Sequence, residues 1–114
     1  MDYKTARGFL IHQGTTADSS SDAFLVRLAQ GQAPVPGQVT NILLALKIVF
    51  EALRGSPSLD RELSYALYLL SYESRRRYEA GRQAGVVWPP LLDEDLKRIS
   101  RAVKSIFAGE WHSL

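Results

Sequence analysis

The chain has 114 residues, 46% hydrophobic and 23% charged, a balance typical of a single globular domain rather than a disordered segment. It contains no cysteine, which excludes disulfides, thiolate zinc sites, iron–sulfur clusters and cysteine nucleophiles. The net charge is only +2, so the distribution of the basic residues carries more information than their total.

The first predicted helix begins after Asp2, a residue type that caps helix N-termini. Apolar side chains recur on one face of this segment, at Tyr3, Ala6 and Leu10. Gly14 is expected to end the helix, because glycine is common just past a helix C-terminus. The polar segment TTADSSSD then forms a loop, and a short second helix is predicted through Phe24, Leu25 and Leu28.

The stretch GQAPVPGQVT (31–40) has two glycines and a hydroxyl residue, as a phosphate-binding loop does. Such a loop needs four residues between its glycines, and a lysine after the second, to neutralise the phosphates. Here five residues separate Gly31 from Gly37, and Gln38 takes the place of the lysine. The stretch is therefore predicted to be a hinge, with Gly31 ending one helix and Gly37 opening the next.

Residues 38–54 are predicted to form the central helix of the domain. Thr40, Lys47, Glu51 and Arg54 fall in one narrow stripe of this segment, and nearly everything else in it is apolar. A helix that is apolar around most of its circumference packs against neighbours on several sides. The segment around Leu43, Leu46 and Phe50 is therefore expected to be the most buried part of the protein.

The fourth predicted helix is long and spans 57–84, with Ser56 or Ser58 as its cap and Pro57 in its first turn. One face is apolar, and another carries an aromatic and basic set: Tyr65, Tyr68, Tyr72, Arg75 and Arg76. At 1.5 Å per residue the helix would be roughly 42 Å long. A globule of this size is roughly 35 Å across, so an unbroken helix would overshoot its own domain. We therefore expect either that Gly81 and Gly85 end the helix early or that its projecting basic end is covered by another molecule.

The last predicted helix follows a Pro-Pro pair, has an acidic first turn (93–95) that suits the helix dipole, and ends at Gly109. Its apolar residues repeat at spacings of four and three, which indicates an amphipathic helix. The opposite face is basic and consists of Lys97, Arg98, Arg101 and Lys104. Such a face is usually solvated.

These segments predict an all-α fold, a compact single-domain bundle of about five helices that covers residues 1–114. The longest apolar stretch, 42–53, carries Lys47 and Glu51 and is too short and too charged to span a bilayer. The N-terminus lacks the basic-then-apolar order of a signal peptide. We therefore expect a cytoplasmic protein without a membrane span.

No residue pattern indicates a catalytic, cofactor-binding or metal site. His12 and His112 lie at opposite ends of the chain, and neither belongs to a metal-binding pattern. The acidic cluster at 93–95 is better explained by dipole compensation than by cation binding. None of the loop serines lies in a nucleophile elbow.

The tyrosine and arginine set on the fourth helix has three interpretations. Tyrosine and arginine are enriched at protein interfaces, and the same mixture can stack on and neutralise a nucleic acid. Alternatively, the tyrosines pack under the N-terminal helices while the arginines are solvated. A homodimer through this helix is one form of the interface, opposed by arginine repulsion across the two-fold axis unless Glu73 and Glu79 interleave.

Three segments, QGQAPVPGQVTNILLALKIVFEAL, WPPLLDEDLKRI and AVKSIFAGEW, make the chain resemble a family of small cyanobacterial helical proteins. The resemblance covers nearly the whole chain and implies a cyanobacterial cytosolic setting, but it carries over no catalytic residue. Some members of that family are labelled dethiobiotin synthetase, a name that otherwise belongs to an α/β enzyme with a phosphate loop.

The leading functional hypothesis is a non-enzymatic helical interaction protein, such as an adaptor, assembly factor or regulatory subunit. It would bind a protein partner through the tyrosine and arginine set, without a cofactor. One alternative is the nucleotide-dependent biotin-pathway enzyme that the family label suggests, which the missing phosphate loop disfavours. The other is weak nucleic-acid binding through the basic helix faces.

Overall fold

The computed structural model describes residues 1–112, and every regular element in this range is a helix, as the apolar periodicity predicts. Residues 1–112 form five helices: α1 (Tyr3–Thr15), α2 (Phe24–Ala29), α3 (Gln38–Leu53), a fourth helix in three consecutive pieces, and α6 (Leu92–Ala108). The pieces of the fourth helix are α4 (Arg61–Tyr68), a π-helical turn (Leu69–Glu73) and α5 (Ser74–Gln83). Within the described range, no helix combines the length and apolar character that crossing a membrane requires.

The core is built around α3, which packs against both α1 and α6. Its inward residues are almost fully buried: Ile42, Ala45, Leu46, Val49 and Phe50. The prediction of a central helix is confirmed, with its end one residue earlier than expected. Leu43 is only partly buried, and Leu44 is 48% exposed. Leu44 falls between Thr40 and Lys47 at helical spacing, so it shares the outward stripe.

The fourth helix begins at Arg61, so the predicted start at 57 and the predicted serine caps are wrong. Ser56 and Ser58 instead bond to each other in a turn, in which the Ser56 hydroxyl donates to the Ser58 carbonyl oxygen at 2.7 Å. The cap is Asp60, whose carboxylate accepts a 2.8 Å hydrogen bond from the Leu63 amide. Because the serine hydroxyl is used inside this local turn, it does not cap the helix. The next acceptor along the chain, the Asp60 carboxylate, caps α4 instead.

The Asp60 carboxylate also joins α4 to α1. Two Arg7 guanidinium nitrogens donate to its oxygens at 3.1 and 3.2 Å, and one donates to Glu62 at 3.0 Å. The hydrogen bonds from Arg7, followed by that from the Leu63 amide, hold the pKa of Asp60 below its ordinary value.

We expect Asp60→Ala to lower the free energy of unfolding by about 1–2 kcal/mol at pH 7, because the helix loses its cap. Asp60→Asn should cost less, since its amide oxygen can still accept from the Leu63 amide. The pKa of Asp60 is lower in the folded state, so the carboxylate stabilises the fold above about pH 4 and loses this effect as the pH falls through the folded pKa. The difference between wild type and Asp60→Asn in urea denaturation should therefore be smaller at pH 3 than at pH 7. An equal difference at both values would contradict the role of the charge.

The helix α1 continues through Gly14 to Thr15, so Gly14 does not end it as predicted. Gly14 is buried where α1 meets α4, and a Cβ built there would lie 3.0 Å from the carbonyl oxygen of Ala66. The glycine therefore permits close approach of the two helices, which its position near a polar loop does not reveal.

The fourth helix, which ends at Gln83 shortly before Gly85, does not overshoot the bundle. From Arg61 to Gln83 the helix is roughly 34 Å long, and the longest dimension of the bundle is 43 Å. One side of α5 packs against α2, where Arg77 donates a 2.6 Å hydrogen bond to the Leu25 carbonyl oxygen. The bundle is elongated rather than spherical, so it accommodates the helix.

A short tail after α6 folds back onto the core. Gly109 takes a left-handed conformation and ends α6 as predicted. The Trp111 ring centroid then lies 5.1 Å from that of Phe50, and the Lys47 ammonium nitrogen lies 3.9 Å from the Trp111 centroid. The tail thus covers one end of α3, a contact that the sequence analysis did not predict.

Candidate interaction surface

The stretch 31–40 joins α2 to α3, as predicted, with residues 31–37 in the connection and residues 38–40 in the first turn of α3. Gly31 and Gly37 both adopt left-handed backbone conformations, with φ of 72° and 82°. Gly37 immediately precedes α3, and α2 has already ended at Ala29. Both glycines are needed for these φ values, which other residues rarely adopt.

Gln38 points into the protein and holds the hinge in place. Its amide nitrogen donates to the Gln13 side-chain oxygen and to the Asp22 carbonyl oxygen, both at 2.8 Å. Its own side-chain oxygen accepts from the Val35 amide at 3.0 Å, and Gln13 also accepts from the Phe24 amide at 2.7 Å. The residue at the lysine position is therefore a buried structural link between α1, the loop before α2 and the hinge, and it offers no charge to a phosphate.

The fourth helix is interrupted by the π-helical turn at Leu69–Glu73. The hydroxyl of Ser74, the first residue of α5, donates back to the Leu70 carbonyl oxygen in the turn at 2.5 Å. A π-helical turn widens the helix and rotates everything after it relative to an uninterrupted α-helix. Tyr68, Tyr72 and Arg76 follow one another at spacings of four, which places them on one side of the helix. The apolar periodicity gave no sign of this turn.

Tyr65, Tyr68 and Tyr72 are surface residues, with exposed fractions of 57%, 51% and 55%. The interpretation that places them under the N-terminal helices is therefore wrong. Tyr68 and Tyr72 stack on each other, with ring centroids 5.5 Å apart and planes within 14°. The apolar face opposite them supplies the core contacts, so the tyrosines are not needed to complete it.

Arg75 is directed toward α6 and is engaged there. It donates to the Asp93 carboxylate at 2.6 Å and to the Asp93 carbonyl oxygen at 3.2 Å. Its guanidinium also lies 5.1 Å from the Tyr78 ring centroid and 3.7 Å from a Glu79 oxygen. The bonds from Arg75 and then from Lys97 hold the pKa of Asp93 below its ordinary value. Arg75 thus links two helices rather than standing free.

An open groove of about 640 Å³ runs between α5 and α6 beside the tyrosine pair. It is lined by Ser71, Tyr72, Arg75, Arg76, Glu79, Ala80, Gln83 and Ser100. The Ser71 hydroxyl donates to that of Ser100 at 3.2 Å, where α6 contacts the π-helical turn. The structure thus brings Tyr72, Arg75 and Arg76 into one groove and stacks Tyr68 at its edge, while Tyr65 lies outside the groove lining.

The predicted basic face of α6 is exposed along its length, but part of its charge is compensated. Lys97 lies 3.3 Å from Asp93 and 3.4 Å from Glu94, and these contacts raise its pKa, with Asp93 as the first cause. Arg98 lies 4.0 Å from Asp95. Among residues 1–112, Arg101 and Lys104 have no such ion pair. Only half of the face is therefore free cationic surface.

The remaining polar residues form no further site in the part of the chain that the structure describes. The His12 ring bonds to the Thr16 hydroxyl at 2.9 Å, and the His112 amide donates to the Ser105 hydroxyl at 2.8 Å. Between residues 1 and 112, no three histidine or carboxylate side chains cluster so that they could hold a metal ion. No protein-family model, curated protein or solved structure matches the chain.

Proposed function

We propose that this chain is a non-enzymatic helical interaction protein of the cytoplasm, an adaptor, assembly factor or regulatory subunit. Its binding surface is centred on Tyr68, Tyr72 and Arg76, flanked by Tyr65 and Arg75. The observation that carries the proposal is the stacked pair Tyr68–Tyr72, half exposed at the edge of the groove. Large aromatic side chains that pack on each other but not in the core present preformed contact area at low entropic cost.

The charges around this surface favour a protein over a nucleic acid. Arg75 is paired with Asp93, Arg76 with Glu73, and Arg82 with Glu79 at 2.8 Å. A nucleic-acid groove needs uncompensated cations to displace the counterions of the phosphates. A mixed-sign surface with exposed tyrosines suits a protein face that itself carries both signs.

Site-specific photo-crosslinking tests the proposal in the cells that produce the chain. Benzoylphenylalanine at position 68 or 72 keeps an aromatic ring on the surface and should yield covalent protein adducts on irradiation. The control is the same substitution at Val87, which is 95% exposed and outside the groove. We expect adducts from the two tyrosine positions and none from position 87.

Mass spectrometry then identifies what is attached. Equal labelling at all three positions, or none at 68 and 72, would contradict the proposed surface. An adduct that nuclease digestion removes would instead support the nucleic-acid alternative.

A further inference from the structure

The face of the fourth helix that lines the groove consists of Tyr72 in the π-helical turn and of Arg75, Arg76, Glu79, Ala80 and Gln83 in α5. These residues lie on one side of the helix, at spacings of three and four. We infer that its occupant is the same face of a second copy of this chain, paired antiparallel about a two-fold axis near residues 77 and 78. The inference rests on the proposed function and specifies the partner of that surface.

The groove face is self-complementary in charge. A two-fold axis at this point places Arg76 opposite Glu79 of the other copy, and Glu79 opposite its Arg76. Two symmetric ion pairs can thus replace the exposed pairs of Arg76 with Glu73 and of Glu79 with Arg82. The same axis sets Tyr72 opposite Gln83, whose amide can bond to the tyrosine hydroxyl. It also sets Arg75 opposite Ala80, a side chain small enough to leave the Arg75–Asp93 pair undisturbed.

Repulsion among three consecutive arginines would oppose such a pairing, but these side chains point in three directions. Arg75 turns to one side and bonds to Asp93 on α6, and Arg77 turns to the other side and bonds to the Leu25 carbonyl oxygen on α2. Only Arg76 faces outward, paired with Glu73 of its own helix. One outward arginine beside one glutamate can be matched by symmetry, whereas three outward arginines could not.

The groove is also open to a helix from another copy. On the α6 side the groove is bounded by Ser100, which bonds to Ser71 at its floor, and both side chains are small. The partner's α5 can lie in the groove between α5 and α6, and the two-fold axis makes the arrangement reciprocal. The paired face is roughly 16 Å long, which is short for a stable interface. The dimer should therefore be weak, with a dissociation constant of roughly 10 μM to 1 mM.

Charge reversal and charge exchange test this pairing by sedimentation velocity over roughly the same concentration range. Arg76→Glu and Glu79→Arg should each weaken self-association at least about tenfold, since each sets two like-charged pairs face to face. The double variant R76E/E79R restores opposite charges across the axis and should return the association to within about threefold of wild type. The control is Lys4→Glu, a charge reversal on the exposed surface of α1, which should leave the self-association unchanged.

The result that supports the inference is a dimer lost in both single variants and regained in the double variant. A wild-type chain that stays monomeric up to about 1 mM overturns it, as does a double variant no better than the singles. Loss of association in Lys4→Glu also overturns it, because the effect is then one of net charge. Circular dichroism of each variant shows that the helices are intact. A monomeric chain that still yields adducts with a different protein at position 68 refutes the second copy and leaves the proposed function standing.

Discussion

Replacing Phe50 by alanine should lower the free energy of unfolding by about 3–5 kcal/mol. Phe50 is 1% exposed on the inward side of α3, and its ring also supports Trp111 of the C-terminal tail. Truncation therefore removes buried apolar surface and leaves a cavity. It also removes the ring on which Trp111 packs, and with it the support for the contact between Lys47 and Trp111. A domain of this size has a total stability of only about 5–15 kcal/mol, so the variant should be close to unfolding at 37 °C.

Leu44→Ala is the matched control, since it truncates a large apolar side chain on the same helix. Leu44 is half exposed, so its loss should change the free energy of unfolding by less than about 1 kcal/mol. Urea denaturation followed by circular dichroism measures both variants. If Phe50→Ala unfolded at nearly the same urea concentration as Leu44→Ala, the role of α3 as the central helix would be wrong.

Gly81→Ala should destabilise the protein by about 1–3 kcal/mol although alanine is the better helix former. A Cβ built at Gly81 would lie 2.5 Å from Cζ2 of Trp88, far inside van der Waals contact. The indole cannot readily move aside, because it is buried, stacks on Tyr78 at 5.9 Å and donates a 2.9 Å hydrogen bond to the Tyr78 carbonyl oxygen. Steric overlap therefore outweighs the gain in helix propensity.

The same substitution at Gly8 provides the control with the opposite sign. Gly8 is within α1, and a Cβ built there meets no atom within 4 Å. Gly8→Ala should therefore stabilise the protein by up to about 1 kcal/mol, from helix propensity and a less flexible unfolded chain. Urea denaturation and indole fluorescence measure both effects. Equal stabilisation by the two alanines would show that Trp88 is not seated against Gly81.

The apolar periodicity was sufficient to predict the helical class, the central position of α3 and the amphipathic α6. These features depend on residues three and four apart, so local spacing determines them. Helix ends were predicted where local signals are unambiguous, as at Asp2 and Gly109. The predicted ends at the serines and at Gly14 were wrong, because other contacts use those residues. Ser56 bonds to Ser58 in a local turn and leaves Asp60 to cap α4, while Gly14 permits the close approach of α1 to α4.

The candidate surface shows the same division. Sequence alone grouped the tyrosines with Arg75 and Arg76, because helical spacing places them near one another, but it left open whether they face the core or the solvent. Only the tertiary structure decided that the tyrosines are exposed and that the three arginines point in three directions. Those directions depend on α2 and α6, which are distant along the chain, and on a π-helical turn that shifts the register of α5. A π-helical turn leaves no mark in apolar periodicity, so the orientation of the residues after it relative to α2 and α6 is decided only in the folded protein.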